Sequence, residues 1–464
     1  MIGDDKMKNV SSWKKAFACS LSFLLVAMAS LTSAAAQAVV PVNGTPPTLI
    51  PVTINNSPGD QFDPHVSGDW ATYSSELNNG TPRTVRYYSF PSNTDAQIPL
   101  GSSAVDLLPD VSGSKIVFSR VIIGVKTSVM VFDAATPAAA PIEIDPASGT
   151  NRMGSAIGGN TVAYIDFGLG PGGELVIHDL NTSISTRITN DALRDWDPAV
   201  SPNGNVVVWQ RCPITGSVLC DIWQAVKTGG AWSASVVSVA SSYVGFDRHV
   251  DTNGTLVVYY SILTNSDWDI YWRPVTGGAE VQLQLPSIQM EPRIAGNFIA
   301  FTSRPTFFDT TDIFVYDIAG NRLYQITNTP SVSEGLSDIT VLPNGDLRVV
   351  WESDEDGFDQ RNIKAATFSL PSVTPSPTEL LQQLIDLVAT FNLRRGIANS
   401  LDAKLQNAQA ALAAAQSANS SSACGMLSAF INEVQAQSGK AITTQEATQL
   451  INLANQVRAG LACP

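Results

Sequence analysis

The sequence has little positive charge. Its 464 residues include 27 Lys and Arg against 41 Asp and Glu, which gives a formal net charge of −14. Proteins that bind nucleic-acid phosphates need clustered Lys and Arg side chains, so this composition argues against that class of partner. A cationic partner, or solubility alone, fits the charge better. Hydrophobic residues make up 44% of the chain and charged residues 15%, which predicts a folded protein with a substantial core.

Histidine and recognisable catalytic motifs are also scarce. The chain contains only three histidines: His65, His178 and His249. It has no G-x-S-x-G sequence, the motif that carries the nucleophile of α/β-hydrolases. Its acidic residues are too numerous to single out a carboxylate pair of the glycosidase type. We therefore assign no catalytic residues and lean against an enzyme.

Long hydrophobic runs are absent beyond the N-terminus. Residues 1–38 have the features of a signal peptide: the basic stretch MKNVSSWKK, the apolar stretch AFACSLSFLLVAMASL, and an A-x-A pattern at Ala36 and Ala38. We predict cleavage after Ala38. A retained membrane anchor is the alternative, although the apolar stretch is short for a span of about 20 residues. We therefore expect a secreted or periplasmic protein with no membrane span after cleavage.

Cysteine is infrequent, and its positions predict disulfides. Cleavage after Ala38 removes one of the five cysteines and leaves Cys212, Cys220, Cys424 and Cys463. An even number of cysteines in an exported chain favours disulfide bonds. Metal ligation is the alternative, but there is no C-x-x-C pair and no neighbouring histidine. Because the first two cysteines flank a short loop, we expect them to form a bridge across a hairpin.

Seven related segments follow one another between residues 39 and 370. One copy is DWDPAVSPNGNVVVWQR at residues 195–211, and the other copies align with it on its proline. The seven aligned anchor residues are Pro64, Pro109, Ser155, Pro198, Arg248, Pro292 and Ile339. Each anchor is followed two residues later by Val or Ile, which suits a buried strand, and then by a turn and a second strand. Four strands in each period of about 45 residues predict propeller blades.

The last blade needs a strand from the other end of the chain. The seventh segment has only three clear strands, but TLIPVTIN at residues 48–55 matches the fourth-strand column of the other copies. Closing the ring in this way hides both sheet edges. We therefore predict a mainly β protein: a seven-bladed β-propeller closed by the N-terminal strand, plus a small C-terminal α-helical bundle.

The repeat resembles that of TolB-like propellers, a WD40-like group. The pattern D-x-x-P-x-V-S-P-x-G and the polar hairpin SDEDGFDQRNI at residues 353–363 carry the resemblance, which covers residues 48–370. It implies the propeller fold. It implies little about function, because this fold hosts unrelated activities.

The periodicity changes after the propeller. Residues 371–378, PSVTPSPT, have the composition of a linker. In residues 379–464 the apolar residues recur at helical spacing, which predicts four short helices. Thr443 and Glu446 have the spacing of a capping box at the start of the fourth helix.

The predicted helices also place the remaining cysteines. Cys424 begins the third helix and Cys463 follows the fourth, so these ends meet if the two helices are antiparallel neighbours. A disulfide is therefore expected there. Residues 401–461 resemble the FIMAH helical module of secreted bacterial proteins, a resemblance that implies no catalytic residues.

Candidate binding residues lie at the predicted mouth of the central channel. The residue before the anchor is acidic in five segments: Asp63, Asp197, Asp247, Glu291 and Asp338. The candidate binding set is Asp63, His65, Trp196, Asp197, Phe246, Asp247, His249 and Glu291. Such an acidic, apolar-lined ring could hold a cation or a basic peptide. The alternative is architectural: each carboxylate caps the backbone amides of its own turn, as a feature repeated in most blades suggests.

One acidic cluster partly resembles a calcium loop. Asp354, Asp356 and Asp359 stand close together but lack the distal bidentate Glu of an EF-hand. A hairpin turn that uses Asp and Gly for its geometry explains the same residues. We expect no cofactor, with calcium as the alternative.

These observations lead to three hypotheses. The first is an exported, non-catalytic, monomeric scaffold that binds a protein or glycan partner across the propeller face. The alternative is a secreted glycan-active or lyase-type propeller enzyme; the third segment, which has Gly154 and Ser155 instead of an acidic residue and proline, keeps it open. The third is a surface or biofilm-matrix protein that attaches through its helical module.

Overall fold

The structure is a computed structural model. It describes residues 37–76, 82–100, 104–214, 220–237, 248–264, 267–357, 360–370, 376–391, 393–414 and 421–463. These residues form 30 β-strands and four α-helices, together with a short 3-10 helix at Pro146–Ser148.

The first half of the strands runs from the N-terminal segment through the third blade. In chain order they are β1 (Gln37–Val39), β2 (Val42–Asn43), β3 (Val52–Asn55), β4 (Asp60–Ser67), β5 (Trp70–Glu76), β6 (Thr84–Ser89), β7 (Thr94–Gln97), β8 (Ala104–Ser112), β9 (Lys115–Ile122), β10 (Lys126–Asp133), β11 (Ile142–Glu143), β12 (Arg152–Gly158), β13 (Thr161–Asp166), β14 (Glu174–Asp179) and β15 (Ile184–Arg187).

The second half completes the ring. These strands are β16 (Leu193–Val200), β17 (Val206–Pro213), β18 (Asp221–Thr228), β19 (Ala231–Val236), β20 (Arg248–Thr252), β21 (Leu256–Thr264), β22 (Asp267–Pro274), β23 (Val281–Leu283), β24 (Ile288–Ala295), β25 (Phe298–Arg304), β26 (Asp312–Asp317), β27 (Arg322–Gln325), β28 (Glu334–Val341), β29 (Leu347–Ser353) and β30 (Asn362–Phe368).

The strands form seven antiparallel sheets, one for each blade. Blades one to six are β4–β7, β8–β11, β12–β15, β16–β19, β20–β23 and β24–β27, and blade seven is β28–β30 with β3. In blade seven, β3 pairs antiparallel with β30, with Val52 opposite Ala365 and Thr53 opposite Lys364. The predicted seven-bladed propeller closed by the N-terminal strand is confirmed.

The N-terminal segment makes two further pairings that the sequence did not reveal. Before it reaches blade seven, β1 pairs in parallel with β23 of blade five, and β2 pairs in parallel with β27 of blade six. Close approach of the backbone requires Gly44 here, because a Cβ at this position would lie 2.2 Å from the Tyr324 ring. The segment therefore fastens the outer edges of three consecutive blades.

The core lies between the blades. Each blade is covered by a neighbour on both faces, so its central strands are buried throughout rather than alternately, as in β13. The junction that closes the ring is typical: Ile54, Val66 and Tyr73 pack with Val350 and Ile363 from blade seven. Burial of this kind stabilises by about 1.5–3 kcal/mol for each large apolar side chain.

Each innermost strand contains a β-bulge. In blade one the register with the second strand shifts between Phe62 and His65, and equivalent shifts occur in the other six blades. One residue of each bulge has positive φ: Asp63, Leu108, Gly154, Asp197, His249, Glu291 and Leu336. Bulges of this kind bend the strand and redirect the side chains that follow.

The bulges correct the repeat alignment in two blades. The residue equivalent to Pro64 is Val250 in blade five and Ser337 in blade seven, two residues away from the predicted Arg248 and Ile339. The predicted anchors differ because the spacing between bulge and second strand varies. Relative to blade four, the turn of blade five is two residues shorter, and the first strand of blade seven continues two residues further past its bulge.

The C-terminal region is helical. Its helices are α1 (Pro377–Thr390), α2 (Arg395–Ala414), α3 (Ser421–Gln437) and α4 (Thr444–Gly460), and they share one hydrophobic core. The predicted capping box of Thr443 and Glu446 is present. A second one, Ser376 with Glu379, starts α1 inside the segment predicted as a linker, of which residues 371–375 lie outside the described residues.

Both predicted disulfides are confirmed. Cys212 bonds to Cys220 across the hairpin between β17 and β18, and Cys424 bonds to Cys463 across the ends of α3 and α4. Closing a loop of about 40 residues stabilises a fold by roughly 3–4 kcal/mol in the chain-entropy account, which matters in so small a bundle. Within the described residues, no helix has both the length and the apolarity needed to cross a membrane.

The helical bundle contacts the propeller at one end. The Arg322 guanidinium lies 2.6 Å from the Glu379 carboxylate, and the Gln383 side chain donates to the Ala319 carbonyl at 3.3 Å. Arg322 and Ala319 belong to the hairpin between β26 and β27. Because strands alternate in direction, this hairpin lies at the end of the ring opposite to the point where the chain enters each innermost strand.

Candidate functional site

The channel mouth is the end of the ring at which the chain enters the innermost strands. The loops between second and third strands lie at the same end, because successive strands of a blade are antiparallel. Two residues after each positive-φ position, one side chain per blade lines the channel: His65, Asp110, Ala156, Ala199, Asp251, Arg293 and Asp338. They border a cavity of about 230 Å³.

Three of these channel residues are aspartates that connect adjacent blades. Asp110 accepts a hydrogen bond from the Ile157 N–H at 2.7 Å, Asp251 from the Ile294 N–H at 2.8 Å, and Asp338 from the Val66 N–H at 2.8 Å. In each case the donor belongs to the next blade. These carboxylates therefore stabilise the ring, and sequence analysis missed two of them, Asp110 and Asp251. In the sequence, the sign of these residues is an Asp directly after the anchor in three segments. This column becomes visible only when the segments are aligned on their bulges.

His65 lies among three carboxylates. Its Nε2 is 3.4 Å from Asp63, and its Nδ1 is 3.5 Å from Asp110 and 3.7 Å from Asp338, so it faces acidic groups of its own blade and of both neighbours. Burial alone would lower the pKa of His65, but the hydrogen bond and charge of Asp63 and the charge of Asp110 raise the pKa to about 9. His65 is therefore cationic at neutral pH.

Arg293 is the second cation of the channel. Burial opposes its charge, but Asp251 and Asp338 outweigh that cost and raise the pKa of the Arg293 guanidinium. Burial raises the pKa of Asp251 to about 7 against the opposing charge of Arg293. The channel thus contains mixed charges on blades five, six, seven, one and two, whereas Ala156 and Ala199 line it on blades three and four.

The remaining predicted binding residues lie around the mouth. The Asp197 carboxylate accepts from Gln210 Nε2 at 3.2 Å and lies 3.8 Å from His249 Nδ1. Glu291 accepts from the Leu336 N–H at 3.0 Å and from the Thr302 hydroxyl at 3.1 Å. Trp196 is 43% exposed. Phe246 and Asp247 lie outside the described residues.

The predicted acidic ring is smaller than expected. In the register of the structure, the residue before the anchor is acidic only at Asp63, Asp197 and Glu291, and His249 occupies that position in blade five. Asp338 lies in the channel position instead. Among the described residues, the acidic side chains at the positive-φ and channel positions therefore form two sets. Asp63, Asp197 and Glu291 lie at the bulges, and Asp110, Asp251 and Asp338 lie inside the channel.

Exposed apolar side chains lie at the mouth end of blades two, three, four and six. We call them the apolar rim: Leu108, Ile123, Val125, Leu169, Trp196, Phe307 and Phe308. All lie at bulges or in loops between second and third strands, hence at the mouth end. Ile123 and Val125 are each 72% exposed and Phe308 is 98% exposed. Large apolar side chains left exposed at one end of a protein favour an interaction site there.

The candidate calcium residues Asp354 and Asp356 take part in hydrogen bonds with the segment before β28 and with the start of β30. Asp354 accepts from the Ser333 N–H at 2.6 Å, and Asp356 accepts from Asn362 Nδ2 at 2.9 Å. Asp359 lies outside the described residues. In the described parts of the chain, no three His, Cys, Asp or Glu side chains are arranged to hold a metal ion.

The three histidines have separate surroundings. His178 is buried in blade three, where its Nδ1 lies 2.9 Å from the Ser185 hydroxyl, and burial lowers the pKa of its imidazole. His249 stacks on Tyr260 with ring centroids 5.8 Å apart. His65 is the histidine of the channel cavity.

Comparison with known proteins gives structural similarity only. No family model matches this chain, and no curated protein matches it. The puromycin-hydrolysing peptidase of Mycobacterium tuberculosis is 14% identical over 68% of this chain and 52% of that chain, with a TM-score of 0.47. Oligogalacturonate lyase from Vibrio parahaemolyticus is 12% identical over 71% of this chain and 99% of that chain, with a TM-score of 0.48. TolB from Acinetobacter baumannii is 14% identical over 64% of this chain and 80% of that chain, with a TM-score of 0.37. This chain spans about half the length of the peptidase.

Proposed function

We propose that this protein is an exported, non-catalytic scaffold that binds a protein partner across its channel mouth. The observation that carries the proposal is the apolar rim around a charged channel. Burying a side chain such as Ile123 or Trp196 under a partner would contribute about 1.5–3 kcal/mol to the free energy of binding. The helical bundle contacts the opposite end of the propeller, so it leaves this face accessible.

The mixture of apolar and charged groups favours a protein partner. Interfaces between proteins combine an apolar centre with polar and charged groups that fix orientation. Here the apolar rim supplies the apolar surface, and Asp63, Asp197 and Glu291 at the bulges supply the charged groups. The excess of acidic groups favours a partner surface with exposed Lys or Arg.

The channel chemistry supports a structural role rather than catalysis. Asp110 and Asp338 accept backbone N–H groups of neighbouring blades, and together with Asp63 they surround His65 and favour its cationic form. A protonated imidazole cannot act as a general base. Export is supported by the two disulfides, which persist in oxidising compartments.

The proposal is tested with purified protein and variants. The full chain is used as bait against envelope and secreted fractions of its host, alongside the double variant Ile123→Ser and Trp196→Ser. We expect a partner that binds the parent protein and is lost, by tenfold or more, with the double variant. Ile184→Ser, a change of an exposed residue at the opposite end, should bind as the parent does.

The same preparation tests the enzyme alternative. It is incubated with polysaccharides and peptides, and products are measured by chromatography. Turnover that survives purification and disappears in His65→Gln would contradict a non-catalytic scaffold and favour the glycan-active or lyase-type enzyme.

A further inference from the structure

A second apolar feature of the mouth face lies away from the channel, between blades five and six. The loop from β23 to β24 and the loop from β25 to β26 enclose a groove of about 320 Å³. Its walls are mostly aliphatic, proline and aromatic: Leu285, Pro286, Ile288, Pro305 and Phe307, with Ser287 and Thr306. We call it the blade 5–6 groove.

Aromatic rings hold one wall of the groove in place. Phe307 packs edge-on against Trp268, with centroids 5.5 Å apart, and Trp268 stacks on Tyr260 at 5.6 Å. Phe308 follows at the loop tip and is 98% exposed. The rigid wall is therefore continued by a phenyl ring that is free to contact a partner.

A cation lies beside the groove, against its Phe307 wall. The Arg304 guanidinium lies 5.3 Å from the centre of the Phe307 ring, and its Nε is buried without a hydrogen-bond partner. In the described part of the chain Arg304 forms no ion pair, although Arg83, Arg86 and Arg120 on the first two blades each pair with a carboxylate. An unpaired guanidinium in an acidic protein is complementary to a carboxylate.

The polar groups of the groove distinguish between two kinds of occupant. A sugar ring stacked on Phe307 or Phe308 would need free hydroxyl partners around the ring. Thr306 Oγ1 already donates its proton to Asp309 at 2.6 Å, and Ser287 Oγ shares a hydrogen bond with Ser303 Oγ at 2.9 Å, so little donor capacity remains for a sugar. Aromatic-lined grooves are instead typical of sites that hold extended, proline-rich peptides.

We infer that the blade 5–6 groove binds an extended peptide segment of a partner protein. The segment presents a bulky apolar side chain or proline to the groove and an adjacent carboxylate to Arg304. This site shares Phe307 and Phe308 with the apolar rim of the proposed function, but it is separate from the channel itself, because none of its lining residues borders the channel cavity.

The inference is tested by selecting binders. A phage-displayed library of random nonapeptides is panned on the immobilised full chain, and selected peptides are synthesised with a fluorophore for anisotropy titration. We expect an apolar residue or proline next to Asp or Glu in the selected sequences. Arg304→Gln should weaken binding at least tenfold, Arg304→Lys less than Arg304→Gln, and Phe308→Ser about tenfold.

Controls separate the groove from charge in general and from the channel mouth. Arg194→Gln removes an exposed cation near the same end of the ring, and Trp196→Ser removes a rim side chain; both should change the dissociation constant less than twofold. Far-UV circular dichroism and thermal unfolding verify that each variant folds as the parent does.

Several results would overturn the inference. They are failure to enrich any peptide, equal binding by parent and Arg304→Gln, and loss of binding in Trp196→Ser, which would move the peptide to the channel mouth and leave the proposed function standing. Binding of alginate or polygalacturonate in an Arg304-dependent manner, without peptide binding, would identify an acidic glycan site instead.

Discussion

At the scale of single residues, His65 best illustrates how the channel is built. Its imidazole lies within 3.4–3.7 Å of carboxylates from blades one, two and seven, so a positive charge at the centre offsets three negative ones. The sequence identified His65 as a candidate binding residue because it follows an anchor. Its surroundings favour a role in holding the ring together.

This role predicts a pH dependence of stability. The pKa of His65 is raised to about 9 in the folded protein, from an unfolded value near 6.5. A raised pKa contributes stability that is fully present below pH 6.5 and is lost as the pH rises through 9. We expect the parent protein to lose on the order of 3 kcal/mol of unfolding free energy from this group across that range.

Urea unfolding of parent and His65→Gln between pH 6 and 10 measures the effect. The stability difference between the two proteins should shrink as the pH rises. His178→Gln is the matched control, because burial lowers the pKa of His178 and its contribution changes only below pH 6.5. A constant difference between parent and His65→Gln would show that His65 is not held as a cation.

At the scale of strands and helices, one strand of the N-terminal segment was predictable from the sequence and two were not. The fourth-strand pattern at residues 48–55 identified β3. It could not identify β1 and β2, because strands of two or three residues have too little periodicity, and their partners lie more than 200 residues away.

The two kinds of N-terminal strand differ in their contribution to stability. Ile54 in β3 is 6% exposed and packs against blade seven, whereas Val42 in β2 is 47% exposed. Ile54→Ala should therefore destabilise the protein by about 2–4 kcal/mol, and Val42→Ala by less than about 0.5 kcal/mol. Urea unfolding at neutral pH compares them. Similar losses for both variants would contradict closure of the ring through β3.

Helix ends and disulfides were easier to predict from the sequence than the short N-terminal strands. The capping box of Thr443 and Glu446 depends on residues three positions apart, and the Cys424–Cys463 bond joins the ends of predicted neighbouring helices. The first helix was placed too late because Ser376 and Pro377 were assigned to the linker, although Ser376, Pro377 and Glu379 together form a start signal. The resemblance of these helices to the FIMAH module stays a prediction.

At the scale of the whole molecule, the repeat predicts the number of blades and their closure, but not which side chains line the channel. A bulge of one residue changes which side chains face inward, and the variable spacing between bulge and second strand shifted the alignment in blades five and seven. Asp110 and Asp251 were missed for this reason. Apart from Trp196, the members of the apolar rim were also missed, because they come from bulges and loops of different blades that only the closed ring brings to one end.

The central claim is that the mouth end of the propeller contacts a partner. Site-specific photo-cross-linking in the native host tests it most directly, with a photoreactive phenylalanine analogue placed at Ile123 or Trp196 and, as controls, at Ile184 or Val341 on the opposite end. We predict the same discrete adduct from both mouth positions and none from the controls. Adducts only from the control positions, or none from the mouth, would contradict the account.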